Sequence, residues 1–135
     1  MKFIKISQVE LLRIKELYEG VMSHACHGLF FREGSVLGKD IVNAALKDKT
    51  SYFQNVETLL KARGWCDEAK FEEGAVYIKG SIEAGTKSDL PTCHRLRGII
   101  REVYEGYYGG KVHCVETECE SQGKPQCMFK TERLL

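Results

Sequence analysis

The chain has 135 residues, with 20 Lys plus Arg against 19 Asp plus Glu, a formal charge of +1. Length and a 43% hydrophobic content suit one compact domain over residues 1–135, able to build a core without disulfides. Near-neutral charge argues against a nucleic-acid or membrane-surface binder, and no run of apolar residues is long enough for a membrane span. The N-terminus shows no signal-peptide pattern, so the expected location is the cytoplasm. There the six cysteines are expected to stay reduced and to read as metal ligands before disulfides.

In chain order, Ser7 and Glu10 form a capping-box pair that opens a first helix. Val9, Leu12, Leu17, Val21 and Met22 recur at roughly helical spacing and predict its apolar face. A further helix is expected over 24–31, stopping near Gly34, followed by a short one over 36–46. Ser51 is placed to cap a helix that buries Phe53, Val56, Leu59 and Leu60 and closes at Gly64. The period then drops to two. Trp65, Ala69 and Phe71 share one face, as do Val76, Ile78 and Ile82, with Glu73-Gly74 turning between them. Pro91 suits the first turn of a helix that carries Leu96, Ile99, Ile100, Val103 and Tyr107 and ends at Gly109-Gly110. Residues 111–118 and 126–133 read as a second hairpin. The predicted fold is α+β: a four-stranded antiparallel sheet of two hairpins with helices packed on one face.

Cys119 and Cys127 stand at opposite ends of the last hairpin's loop. Glu116 lies three residues before Cys119, where a carboxylate adds an oxygen donor. Cys93, at the start of the preceding helix, is available as a fourth ligand, and a helix N-terminus favours a thiolate. Three sulfurs and one oxygen suit tetrahedral zinc, and four protein donors leave no position for water, which defines a structural site. By spacing alone, zinc and buried free thiols both fit this pattern.

Other residues carry two readings each. His24, Cys26 and His27 form His-x-Cys-His, either a second metal or haem ligand set or a half-exposed helix with Cys26 packed. Cys66 and Cys114 read as small core residues, with a disulfide between them disfavoured in the cytosol. His94 is either a hydrogen-bond donor to a ligand thiolate or a surface residue, and His113 is expected to be exposed. Among the aromatics, Trp65, Phe31 and Tyr104 are candidates to line a pocket for a planar or apolar ligand, against the reading of ordinary core. No nucleophile elbow, zinc-protease helix or phosphate-binding loop is present.

Cys93, the helix over 96–109, then Glu116, Cys119, Gly123, Cys127 and Phe129 resemble the signature of the 4-vinyl reductase domain family. The signature's leading valine is not matched, since Cys114 stands there and Val115 follows. Arg32-Glu33-Gly34 with Gly38 is similar to the family's Gly-x-x-x-Gly helix junction. The spacing from Cys93 to Cys127 looks like the zinc-binding version in phenol-sensing transcription activators. The resemblance implies the fold shared by vesicle-tethering TRAPP subunits and haem nitric-oxide-sensing domains, a hydrophobic small-molecule ligand, structural zinc, and a homodimer. It also leaves open an accessory or catalytic role in tetrapyrrole vinyl reduction, or a scaffold subunit. Within these residues there is no ATPase or DNA-binding region, so any signal output is expected to pass through a partner; Gly109-Gly110 is no dinucleotide fingerprint, so catalysis by this chain alone is not expected.

Overall fold

The computed structural model describes residues 1–134. Helix α1 spans Gln8–Met22, α2 Cys26–Ala45, α3 Tyr52–Ala62 and α4 His94–Tyr108. Strands β1 (Glu68–Glu72) and β2 (Ala75–Lys79) form the first hairpin, and β3 (Val112–Glu118) and β4 (Cys127–Arg133) the second. The sheet order is β1-β2-β4-β3, and every neighbouring pair is antiparallel. The two hairpins join through β2 and β4, which set Val76 opposite Phe129 and Ile78 opposite Cys127. The α+β architecture read from the sequence is the observed one.

Alternation decides which sheet face is covered. Val112, Cys114 and Glu116 of β3 point inward and are buried, while His113 and Val115 between them are exposed. The inward face meets Leu96, Ile99, Ile100 and Val103 of α4, all fully buried. Ile41 and Val42 of α2 and Val56 and Leu60 of α3 complete the interior. Each such aliphatic side chain removed from water contributes about 1.5–3 kcal/mol. Tyr52 enters this interior because its hydroxyl donates to the Val103 carbonyl at 2.5 Å.

The helix boundaries correct the sequence reading in four places. Gly34 does not end a helix, and α2 runs unbroken from 26 to 45 through Gly34 and Gly38. These glycines serve packing. A Cβ on Gly34 would stand 2.0 Å from the Arg95 carbonyl oxygen of α4, and one on Gly98 would stand 2.0 Å from the Phe31 carbonyl oxygen. Two backbones approach here more closely than any side chain permits. Secondly, Ser51 precedes α3 but makes no side-chain cap. Thirdly, α4 starts at His94, so Pro91 lies before its first turn. Finally, the apolar row predicted for α1 does not face the core. No residue of α1 is buried, and Val9, Leu17 and Val21 are 56%, 61% and 77% exposed. The capping box that opens α1 forms as read, with Ser7 Oγ accepting from the Glu10 amide and Glu10 accepting from the Ser7 amide.

Candidate metal centre

Cys93, Glu116, Cys119 and Cys127 meet at one end of the sheet, all buried, with one donor atom from each within 4.8 Å of the others. Three separate pieces of backbone bring them there. Cys93 is the residue immediately before α4. Glu116 points inward from β3. A register shift between Glu116 and Glu118 then bends the strand, and Cys119 follows at its end. Cys127 opens β4 and is held by its pairing with Ile78.

The three sulfurs are 3.6, 3.9 and 3.9 Å apart. Zinc–sulfur bonds of about 2.3 Å put tetrahedral ligands about 3.8 Å from one another. The cluster therefore has the edge lengths of a zinc site, not the covalent contact of a disulfide, and all six cysteines are free. Glu116 Oε1 accepts a hydrogen bond from the Cys93 amide at 3.0 Å, while its Oε2 is buried with no partner. A buried carboxylate oxygen without a partner, on a residue grouped with three sulfurs, is a donor that a cation can satisfy. The residues present fit zinc by donor type, number and spacing.

Electrostatics point the same way. The Cys127 and Cys93 thiols direct their hydrogen bonds at Cys119 and hold its sulfur far below the ordinary thiol value. Cys127 is raised by its donation to Cys119, and Cys93 by donations to Cys119 and Cys127 and then by burial. Burial first, then the Cys119 sulfur, pushes Glu116 up to about 9. Buried negative charges crowd together here, and either retained protons or a cation must compensate them.

A ring of donors supports the cluster. Ser121 Oγ donates to Cys119 Sγ at 2.9 Å, and the Glu120 amide donates to Cys127 Sγ at 3.3 Å. Ser81 Oγ lies 3.1 Å from Cys93 Sγ. Such partners fix thiolate orientation. The Glu83 carboxylate caps α4 by accepting from the Arg95 and Leu96 amides at 3.1 and 2.8 Å. The sequence reading did not single out Ser81, Glu83 or Ser121. Ser121 carried a local signal, a hydroxyl two residues from a cysteine, but Ser81 and Glu83 reach α4 only through the fold.

The three pocket candidates do not converge. Trp65 is half-buried and lines a groove of about 530 Å³ with Ile4, Ile6, Leu11, Tyr18 and Arg95, a groove that neither Phe31 nor Tyr104 lines. Phe31 lies under the guanidinium groups of Arg97 and Arg101, at 3.9 and 4.5 Å from its centroid. Tyr104 is interior, packed on Phe53 and Phe71, and donates to the Glu72 carbonyl at 2.5 Å. Cys66 and Cys114 are buried and His113 is exposed. His94 stacks on His27 with ring centroids 4.1 Å apart. Burial, then His27, pushes its imidazole down to about 3.

Fold and donor cluster together define an α+β domain with a buried cluster of three cysteines and one glutamate at one end of its sheet. Residues 75–133, from β2 through β4, match the vinyl-4-reductase domain by sequence. Over 98% of its length the chain superposes on 77% of the phenol-responsive sensory domain of the transcription activator PoxR, crystallised with phenol, with a TM-score of 0.85 at 15% identity. A vinyl-4-reductase family protein from Methanocaldococcus jannaschii matches the whole chain over 85% of its own, with a TM-score of 0.70 at 16% identity. At these identities the likeness is one of fold. No curated protein sequence matches the chain. No helix among the described residues is long and apolar enough to cross a membrane.

Proposed function

We propose that this domain binds a hydrophobic small molecule and is fastened by a structural zinc ion on Cys93, Glu116, Cys119 and Cys127. The observation that carries the zinc reading is the sulfur triangle with tetrahedral edges beside the buried Glu116 carboxylate, one oxygen of which has no partner. Zinc there supplies folding free energy by tying β3 and β4 to the start of α4. Four protein donors close its coordination sphere, so the centre holds structure and leaves no place for a reacting group.

The ligand reading rests on the Trp65 groove. Its apolar walls are Ile4, Ile6, Leu11, Ile14 and Leu37, and its polar groups are Glu33, Arg63 and Arg95. Apolar walls with a few fixed polar groups suit an aromatic molecule carrying one polar substituent. PoxR's sensory domain was crystallised with phenol, and the shared fold extends that ligand class to this chain as a proposal. The exposed apolar row of Val9, Leu17 and Val21 supports a second copy of this chain as partner.

Trp65 is the chain's single tryptophan, so intrinsic fluorescence reports directly on the groove. Titration with phenol and apolar aromatics is expected to change that emission saturably and to raise the melting temperature. Unchanged emission and melting temperature across the panel would contradict the ligand reading. Sedimentation equilibrium tests the dimer, and a monomer at all concentrations would overturn it.

A further inference from the structure

The bend between α1 and α2 collects donor groups that the sheet-end cluster does not use. Glu19 comes from the last turn of α1, and Cys26 and His27 from the first turn of α2. Their carboxylate oxygen, sulfur and imidazole nitrogen lie within 4.8 Å of one another. His27 Nε2 is 2.6 Å from Glu19 Oε2. The Cys26 thiol is fully buried and donates to the Ser23 carbonyl at 3.2 Å. His24 meets the His27 ring edge-on, with centroids 4.9 Å apart, and His94 stacks flat on it.

Two features separate this corner from an ordinary ion pair. Ser23 holds φ 56° and ψ −145°, backbone that glycine favours, and it is the only non-glycine with positive φ among the described residues. Holding a side chain there costs on the order of 1–3 kcal/mol, and such strain gathers at functional sites. This bend turns the chain so that Glu19 faces Cys26 and His27. The second feature is a buried thiol beside a carboxylate. Burial and then Glu19 raise Cys26 above the ordinary thiol value, a repulsion that a cation between them converts to attraction.

We propose that Glu19, Cys26 and His27 form a second cation site, for zinc or a similar divalent ion, with one coordination position open. Carboxylate, thiolate and imidazole are all zinc donors, and three protein ligands leave the fourth position to water or an exogenous ligand. The side chains of His27 and Glu19 are 19% and 29% exposed, so that position faces solvent. On binding, the Cys26 thiol proton leaves to solvent, while neutral His27 coordinates through Nε2 with its N–H on Nδ1, so the contact to Glu19 is replaced by bonds from both groups to the cation. Bonds of about 2.0–2.3 Å set tetrahedral donors roughly 3.3–3.8 Å apart. The 2.6 Å contact therefore opens, and the widest separations of up to 4.8 Å close. The site uses none of the sheet-end cluster's donors, although the start of α4 touches both, through Cys93 just before the helix at one and His94 at the other.

Zinc counting by native mass spectrometry tests this on wild type, His27→Ala, Cys26→Ser and Cys119→Ser, each equilibrated with chelator-buffered zinc. Wild type is expected to hold two zinc ions. His27→Ala and Cys26→Ser are expected to hold one each, and Cys119→Ser to keep the corner ion. A wild type with a single zinc that survives in His27→Ala overturns the corner site and leaves the sheet-end reading intact. Two ions retained in both His27→Ala and Cys26→Ser also overturn it, as does a wild type with none. Should Cys119→Ser not fold, cobalt titration of Glu19→Gln replaces it. Loss of the second equivalent, with its weaker single-thiolate charge-transfer band, supports the site, and retention of that band overturns it.

Discussion

The interior between α2, α4 and the sheet and the surface carried by α1 follow opposite rules. In the interior, small residues mark the closest contacts: Gly34 and Gly98 let two helices touch backbone to backbone. On α1, large apolar residues stand in solvent, and none is buried. Apolar periodicity finds a helix in both places. It does not tell which apolar face meets the core, and a glycine inside a helical stretch marks a crossing as readily as an end.

The sharpest way to break the interior is to remove a cluster ligand. If the proposed zinc is bound at the sheet end, Cys119→Ser or Cys127→Ser is expected to release it and lower stability by at least ~3 kcal/mol, since structural metal binding contributes folding free energy. Urea unfolding with and without chelator measures this, and chelated wild type should approach the variant.

Next comes the helix crossing. Gly98→Ala places a methyl 2.0 Å from a backbone carbonyl that cannot rotate away. A loss of about 2–4 kcal/mol is expected, at the upper end for overpacking. A melting temperature within a degree or two of wild type would show that α2 and α4 separate freely.

Glu83 gives a smaller, pH-dependent effect. Burial outweighs the hydrogen bonds from the Leu96 and Arg95 amides and raises its carboxyl to about 7. A raised carboxyl favours the folded state when protonated. Its contribution is complete below the ordinary carboxylate value of about 4.3 and is lost as pH rises through about 7. Glu83→Gln should flatten the difference in urea midpoint across that window. Parallel pH profiles for variant and wild type would contradict the raised value.

The smallest effect belongs to α1. Leu17→Ala should change the monomer's unfolding free energy by less than about 0.5 kcal/mol, as for an exposed site. The same change at Ile99, fully buried, should cost about 2–5 kcal/mol. Equal losses at the two positions would erase the contrast between surface and interior.

Much of this architecture is legible in sequence because strands and hairpins announce themselves locally. Glu73-Gly74 turns the first hairpin, and the inward row of Val112, Cys114 and Glu116 follows from period two alone. The donor cluster is legible for another reason: its residue types have few other uses when grouped, and three of the four lie within one hairpin. What escapes is what depends on long-range contact. Glu83 reaches the start of α4 across a loop, Phe31 is claimed by two arginines, and Glu19 meets Cys26 and His27 only because Ser23 bends the chain. Neither the direction of the bend nor the partner of a side chain is written in the spacing of its neighbours.

The proposed sheet-end zinc holds β3 and β4 to the start of α4, and its presence is directly measurable. Native mass spectrometry of the folded Cys26→Ser variant, in which the corner site is removed, counts that ion alone. One tightly held zinc per chain is predicted, with Cys93, Cys119 and Cys127 protected from thiol reagents until a chelator is added. A folded, metal-free chain whose cluster thiols react as freely before chelation as after would contradict it.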